Sequence, residues 1–533
     1  MESPASTQSS NSTSPPTNRT RHWLTRSNPS AVGSEADFLA GDQDSTPYLD
    51  ALLAYGDRDP ARFHVPGHKG GFGADQKLRA HLADALRYDI PRDMHGIDVG
   101  PYPTPADQAE LLAAESFGAA QTWFLTNGAT QGNHALALAL APLGARVVVQ
   151  RNSHGSVVDG LVLSGGIPAF VAPHVDHDLQ IAHGVLPEDL QETLEAHPDA
   201  RAVFIVSPTY YGMCADVAAL ARIAHDRGIP LVVDQSWGSH FGRHPEVPQS
   251  ALQLGADAVL TSIHKTVGSF TQSAMLHVAG TEFINPDMVD RAVRLVRSTS
   301  PNGLLLVSLD AARRNLTVNG EALLSETLTA IDTIVDKIDL IPGLYVAGSD
   351  LRGHTGVHDT DPLRIVVDTR GTGESGFVLA DAVRERHDVV PELATDTVVV
   401  FVVGIAEDPG NLDRLYEALV DAAARAEPLR EPATPIDSRE TFNLDQVVSP
   451  REAFLAADEV IPVSESVGRI CGESIAVYPP GIPALLPGEL ISQDIVDHLQ
   501  RQVAQGARLH GASDKAFKSI HVLPGDRAER HAL

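Results

Sequence analysis

The feature that most constrains this chain is a series of short apolar runs, rich in β-branched residues, separated by longer amphipathic stretches. Residues 147–150, 202–206, 231–234 and 258–262 are such runs. None alternates polar with apolar residues, so a strand made from them buries both faces. Between them lie helical patterns such as 217–227, ending at Gly228 as helices often do. Strands buried on both faces and alternating with helices predict an α/β fold with a parallel sheet covered on either side.

At 533 residues the chain exceeds one ordinary domain. The first 45 residues are rich in Ser, Thr, Pro and Asn. They lack the apolar stretch of a signal peptide and read as a disordered tail. An N-terminal segment is expected over 46–105, beginning with a short helix near 48–52. A large α/β domain follows over 106–305 and a smaller one over 306–435. In the smaller domain, 364–368 and 398–403 read as strands, and 376–386 and 411–424 as helices. The Pro- and charge-rich stretch 427–440 reads as a linker, and 436–533 as a C-terminal domain.

The formal net charge is −29 and no long basic patch occurs, so nucleic acid and anionic membranes are poor partners. Apolar runs such as 398–403 are far too short to span a bilayer. Two cysteines, Cys214 and Cys471, cannot form a disulfide framework and suit a reducing cytoplasm.

Four segments carry candidate chemistry. Thr126-Asn-Gly-Ala-Thr130 is a small-residue turn before a helical run, able to offer backbone amides to an anion. Ser153-His-Gly-Ser156 follows a strand, where ligands of open α/β sheets bind. Leu231-Val-Val-Asp234 ends an apolar strand in a carboxylate able to keep a ring nitrogen protonated. Ser262-Ile-His-Lys-Thr266 places Lys265 at the next strand end, costly as a free buried cation but not as an imine. Each alone has an ordinary explanation as a cap or surface residue. Their order along the chain suggests a pyridoxal 5′-phosphate (PLP) site. His64-Val-Pro-Gly-His68 has zinc-like spacing, but its Pro-Gly forbids the helical turn that would align the two rings, so no metal site is expected.

These segments resemble the bacterial ornithine/lysine/arginine decarboxylases. The likeness extends through Phe63-His-Val-Pro-Gly-His-Lys-Gly-Gly71, Ser207-Pro-Thr-Tyr-Tyr-Gly212, Gln272-Ser-Ala-Met-Leu-His277 and Tyr478-Pro-Pro-Gly-Ile-Pro-Ala-Leu-Leu-Pro-Gly-Glu489. The resemblance implies a fold type I PLP-dependent enzyme: a mostly parallel seven-stranded sheet with helices on both faces, plus smaller α/β and C-terminal domains. It also implies site roles. Ala129, Thr130, Ser262 and His264 would hold the cofactor phosphate, His154 would stack on its ring, and Asp234 would pair with the pyridine nitrogen. Trp237 would line the ring edge, and Lys265 would form the Schiff base. Family members often have Asp-Glu-Ala-His where this chain has Asp234-Gln-Ser-Trp237.

The activity so implied is decarboxylation of lysine, arginine or ornithine to cadaverine, agmatine or putrescine, as in polyamine biosynthesis. His264 or Lys265 would return a proton to Cα. Glu473 and Asp98 are candidates for the far end of a basic substrate. A homodimer or dimer-based oligomer is expected. The rivals are an aminotransferase or lyase on the same fold, with Arg364 or Arg370 holding a carboxylate, and a non-catalytic binding protein.

Overall fold

The structure, a computed structural model, describes residues 41–426, 444–478, 482–504 and 507–525. The expected linker 427–440, nearly all of the expected tail, and the Pro-Pro-Gly of the segment beginning at Tyr478 lie outside these residues.

Seven strands form the central sheet: β1 (Gln121–Leu125), β2 (Arg146–Gln150), β3 (Ile167–Val171), β4 (Val203–Val206), β5 (Leu231–Asp234), β6 (Ala258–Thr261) and β7 (Ala274–Val278). Their spatial order is β1-β7-β6-β5-β4-β2-β3. Only β7 runs against its neighbours. The carboxyl ends of β1, β2, β5 and β6 therefore share one edge, and the chain enters β7 from that same edge. The order reverses beside β2, the kind of switch point where such sheets bind ligands.

The strands are apolar throughout because each face has its own core. Val147, Val149, Val232 and Leu260 join a cluster with Leu136, Leu161, Val289 and Val293 from helices on one side. Val148, Val233 and Val259 join Leu190, Leu194 and Leu220 on the other. The two-residue period of a strand thus survives within runs that look uniformly apolar.

The Gly128–Leu140 helix lies close against this sheet. A Cβ at Gly132 would stand 2.0 Å from Leu260 Cδ2 and 3.1 Å from Leu125 Cδ1. This close approach fixes the mouth of the helix over the ends of β1 and β6.

A second sheet is antiparallel, in the order Tyr345–Ala347, Arg364–Asp368, Val398–Val402, Leu393–Ala394. Ile365, Val367, Val399 and Phe401 on one face pack with the Gly303–Ile338 helix and with Tyr48, Leu52 and Tyr55 of the N-terminal segment. Val366, Val398 and Val400 on the other face join Tyr210, Tyr211 and Trp237. The boundary expected between residues 305 and 306 falls in the first turn of that 36-residue helix, so no loop separates the two expected domains at that point. A C-terminal core, with Ile475, Leu485, Leu499 and Ile520, completes the fold.

Gly132→Val should cost roughly 1–3 kcal/mol by overpacking the helix against β6. Urea unfolding would show the loss. An unchanged midpoint would mean that the helix can lift from the sheet without cost.

Candidate active site

At the shared strand edge, β1 runs into the turn 126–127 and the Gly128–Leu140 helix. Gly128 takes φ +66°, open to glycine at little cost, and its amide donates to the Gln272 carbonyl at 2.7 Å. Gln272 Nε2 donates to Asn127 Oδ1 at 3.1 Å. The first intrahelical bond runs from the Gln131 amide to Asn127 O. The Ala129 and Thr130 amides therefore precede it at the positive end of a thirteen-residue helix, where an anion is favoured.

One turn into that helix, Asn133 does what the sequence reading missed. Its buried amide donates to Asp234 Oδ2 at 3.1 Å and to Ser156 Oγ at 2.9 Å. Asp234 Oδ1 accepts from the Ser236 amide at 3.1 Å. Ser156 Oγ lies 2.8 Å from His154 Nδ1, which also accepts from the Ser156 amide at 3.2 Å. This pattern assigns the His154 proton to Nε2. Asn133 thus ties Asp234 to His154. The His154 ring is exposed to the open side of the site, yet the surrounding wall holds its pKa below the ordinary imidazole range. Asp234 opposes that shift and Lys265 adds to it.

Lys265 sits in the one-turn helix Ile263–Thr266 immediately beyond β6. Its Nζ lies 3.7 Å from the Trp237 ring centroid. Burial pushes its pKa down to about 8. Asp234 and Glu392 pull it up, and Arg364 pushes it further down. His264 Nδ1–H donates to the Ser273 carbonyl at 2.8 Å, and burial and Lys265 lower its pKa against that bond. Ser262, buried, precedes this turn. A cavity of about 450 Å³ opens beside His264 and Lys265, walled by Ala311, Ala312 and Asn315 and by residues 404–406.

Trp237 is held from below. Arg364, wholly buried, places its guanidinium carbon 4.6 Å from the Trp237 ring centroid and donates to the Trp237 carbonyl at 3.0 Å. Asp361 lies 3.8 Å from Arg364 and accepts from His240 at 2.9 Å. Arg364 is thus a buried support and presents no free fork to a substrate carboxylate. Arg370 pairs with Asp368 and donates to the Asp178 carbonyl.

The structure does not bring Glu473 or Asp98 to this group. Glu473 accepts from the Ser513 and His521 amides in the C-terminal region. Asp98 accepts from the Asp93 and Met94 amides and pairs with Arg92, closing its own loop. Neither lines the cavity at Lys265. His64 meets Tyr55 and His68 meets Asp89, so the two histidines face different partners. Among the described residues, no cluster of metal-ligating side chains occurs and no helix is long and apolar enough to cross a membrane.

The architecture is that of the fold type I α/β enzymes, with a strand-end aspartate and lysine at the switch-point edge of a seven-stranded sheet. Residues 46–350 match the family described as Orn/Lys/Arg decarboxylase, major domain, and 439–514 match its C-terminal domain. An arginine decarboxylase of Halalkalibacterium halodurans is 33% identical over 92% of this chain and 99% of its own. One from Bacillus subtilis is 33% identical over 91% and 99%. The crystal structure of a lysine decarboxylase from Francisella novicida shares the fold, with a TM-score of 0.77 and 19% identity over 90% of this chain and 81% of that one. The chain belongs to the Orn/Lys/Arg decarboxylase family and is a decarboxylase.

Lys265 in the unliganded protein should react with amine reagents along a titration centred near pH 8, since the unprotonated form is the nucleophile. Asp234→Asn removes a charge that favours the ammonium, so the midpoint should move to lower pH. Labelling rates followed by mass spectrometry test this; a midpoint near the ordinary lysine value would refute the burial argument.

Proposed function

We propose that this chain is a PLP-dependent decarboxylase of a basic amino acid, arginine foremost, with Lys265 as the lysine that carries the cofactor. The observation that carries this reading is the convergence of Lys265, Asp234, Trp237 and the Ala129–Thr130 helix mouth at one edge of the sheet. Family membership and the length over which relatives named arginine decarboxylase align support it further.

The residues fit the group. A helix mouth suits its phosphate, a buried carboxylate suits its pyridine nitrogen, and a lysine with a depressed pKa suits its aldehyde. Asn133 Oδ1 and Ser236 Oγ are buried without a hydrogen-bond partner beside Asp234, as expected of a polar pocket that takes a polar occupant. PLP, when bound, supplies an aldehyde and an electron-withdrawing ring that accepts the electron pair released when carbon dioxide leaves.

The protein supplies the rest. The Ala129 and Thr130 amides, with Ser262 and His264, would hold the phosphate. Asp234, oriented by Asn133 and the Ser236 amide, holds a proton on the pyridine nitrogen, and its low-dielectric setting strengthens that pairing. His154, its orientation set by Ser156, would cover the cofactor ring, and Trp237 would line it and shield Lys265 from water. Lys265 or His264 returns the proton to Cα; with Nδ1–H given to the Ser273 carbonyl, His264 would act from Nε2 only after that nitrogen has taken up a proton.

A basic side chain needs an acid at its far end. Glu392 is an exposed carboxylate at the edge of the small sheet whose charge reaches both Lys265 and Arg364, and it replaces Glu473 and Asp98 in that role. The inward locking of Arg364 disfavours an aminotransferase, which needs a free guanidinium for the substrate carboxylate. Residues 106–305, 306–435 and 436–533 then serve as cofactor, small and C-terminal domains of a homodimer or dimer-based oligomer. Buried, unpaired Cys214 and Cys471 suit the cytoplasm.

The test is a panel of arginine, lysine, ornithine and neutral amino acids, with carbon dioxide and amine measured after PLP loading. Amine and carbon dioxide should appear together from a basic substrate. A visible band should form with PLP, vanish with borohydride, and be missing in Lys265→Ala. A keto acid product, or no band in the wild type, would overturn the reading. Glu392→Gln should raise KM for the basic substrate by about 10-fold or more, as loss of one charged contact does. An unchanged KM would remove Glu392 from the role.

A further inference from the structure

The Gly155–Ser164 helix begins immediately after His154, its N-cap, and the C-terminal region grips it at both ends. At the N-terminal end, Arg151 stands three residues before His154. Arg151 and Glu489 are almost wholly buried, with side-chain exposures of 3% and 0%. Arg151 Nη2 lies 3.0 Å from each oxygen of the Glu489 carboxylate. Arg151 also donates to the Pro483 carbonyl at 2.8 Å and to Ala484 O at 3.2 Å. Glu489 is held in turn by the Leu486 amide at 2.8 Å. Pro483 packs on the start of the helix, its Cγ 3.6 Å from where a Cβ on Gly155 would stand.

At the other end, Arg451 Nη1 donates to the Val162 and Leu163 carbonyls at 2.7 and 3.0 Å, where a cation complements the helix dipole. Two C-terminal residues, Glu489 through Arg151 and Arg451 directly, thus hold the two ends of one ten-residue helix. A buried ion pair is a poor source of stability, because desolvation offsets its attraction, but it specifies one geometry. That geometry is the path of residues 151–155, which carries the His154 ring.

We propose that Glu489 and Arg151 are positioning residues for the reaction: their buried pair, with Arg451 at the far end, aims His154 at the cofactor ring and makes the C-terminal region part of the active site. The proposal rests on the PLP reading above for what His154 meets, but not for the clamp itself. The sequence segment ending in Glu489 thereby acquires a task, since it supplies Pro483, Ala484 and the carboxylate in one run.

The test uses the full chain with Glu489→Gln, with Arg451→Ala, and with the double variant Arg151→Met/Glu489→Leu, which removes both buried charges together. Hydrogen exchange in the cofactor-free protein should rise across 151–164 and stay unchanged across 231–234. The His154 imidazole, followed by NMR, should return toward its ordinary pKa. The dissociation constant for PLP should rise about 10- to 100-fold, the scale on which outer-shell partners act. Unchanged exchange and PLP affinity in the folded variants would overturn the proposal. So would exchange that rises uniformly along the chain, or failure of both Glu489 variants to fold, either of which would assign the pair to stability. Wild-type protein that takes up no PLP while the clamp variants loosen 151–164 would refute the PLP reading and leave the clamp standing.

Discussion

Parallel pairing of β5 with β6 sets Asp234 opposite Leu260, so the carboxylate ending one strand stands beside the turn that carries Lys265. No long-range side-chain contact is needed to bring the two together. Backbone hydrogen bonds between two apolar strands do it, and those strands are held by cores on both faces. The same pairing, extended to β2 and across the reversed β7 to β1, brings His154 and the Ala129–Thr130 amides to that edge. The polar residues at strand ends can then be chosen for chemistry, because the strand interiors already determine position.

The electrostatics of the edge are balanced and not simply attractive. Burial drives Lys265 toward its neutral amine, and Arg364 reinforces this from beneath Trp237. Asp234 and Glu392 oppose it. A pKa near 8 leaves an amine that is largely protonated at neutral pH yet needs little free energy to lose its proton, the condition a nucleophilic lysine requires. Trp237 takes part twice, offering its face to Lys265 and resting on Arg364. Its indole also packs against Tyr210 and the small sheet, so the smaller sheet touches the site through an aromatic wedge.

How much of this was legible in the sequence follows from the range of each interaction. The strands were readable because burial on both faces leaves an uninterrupted apolar signature, and the placement of 231–234 agrees with the structure to the residue. Lys265 and Asp234 stood out as candidates because a polar group closing an apolar strand is conspicuous, and strand pairing places both at one edge. Asn133, Arg364 and the Arg151–Glu489 pair were not. Asn133 meets a partner 101 positions away, and Arg151 one 338 positions away, and no local pattern marks either. Asn133 alone left a trace: it lies four residues beyond Ala129 and so on the same helical face. Asp98 and Glu473 were acids whose partners a sequence does not display: Asp98 accepts from amides four and five positions before it, and Glu473 from amides 40 and 48 positions after it.

The C-terminal region reaches the sheet edge through the connection that carries His154. His154 has no strand beneath it; it hangs on the connection between β2 and the following helix, where backbone pairing no longer dictates position. Asp234 and Lys265 inherit their placement from β5 and β6, whereas His154 must borrow rigidity. Ser156 and Asn133 supply part of it from inside the site. The remainder comes from outside, through Arg151, Pro483 and Glu489, and a buried charge pair suits that task better than apolar contact. An apolar contact tolerates sliding, whereas the contacts of a guanidinium with a carboxylate and two carbonyls are directional.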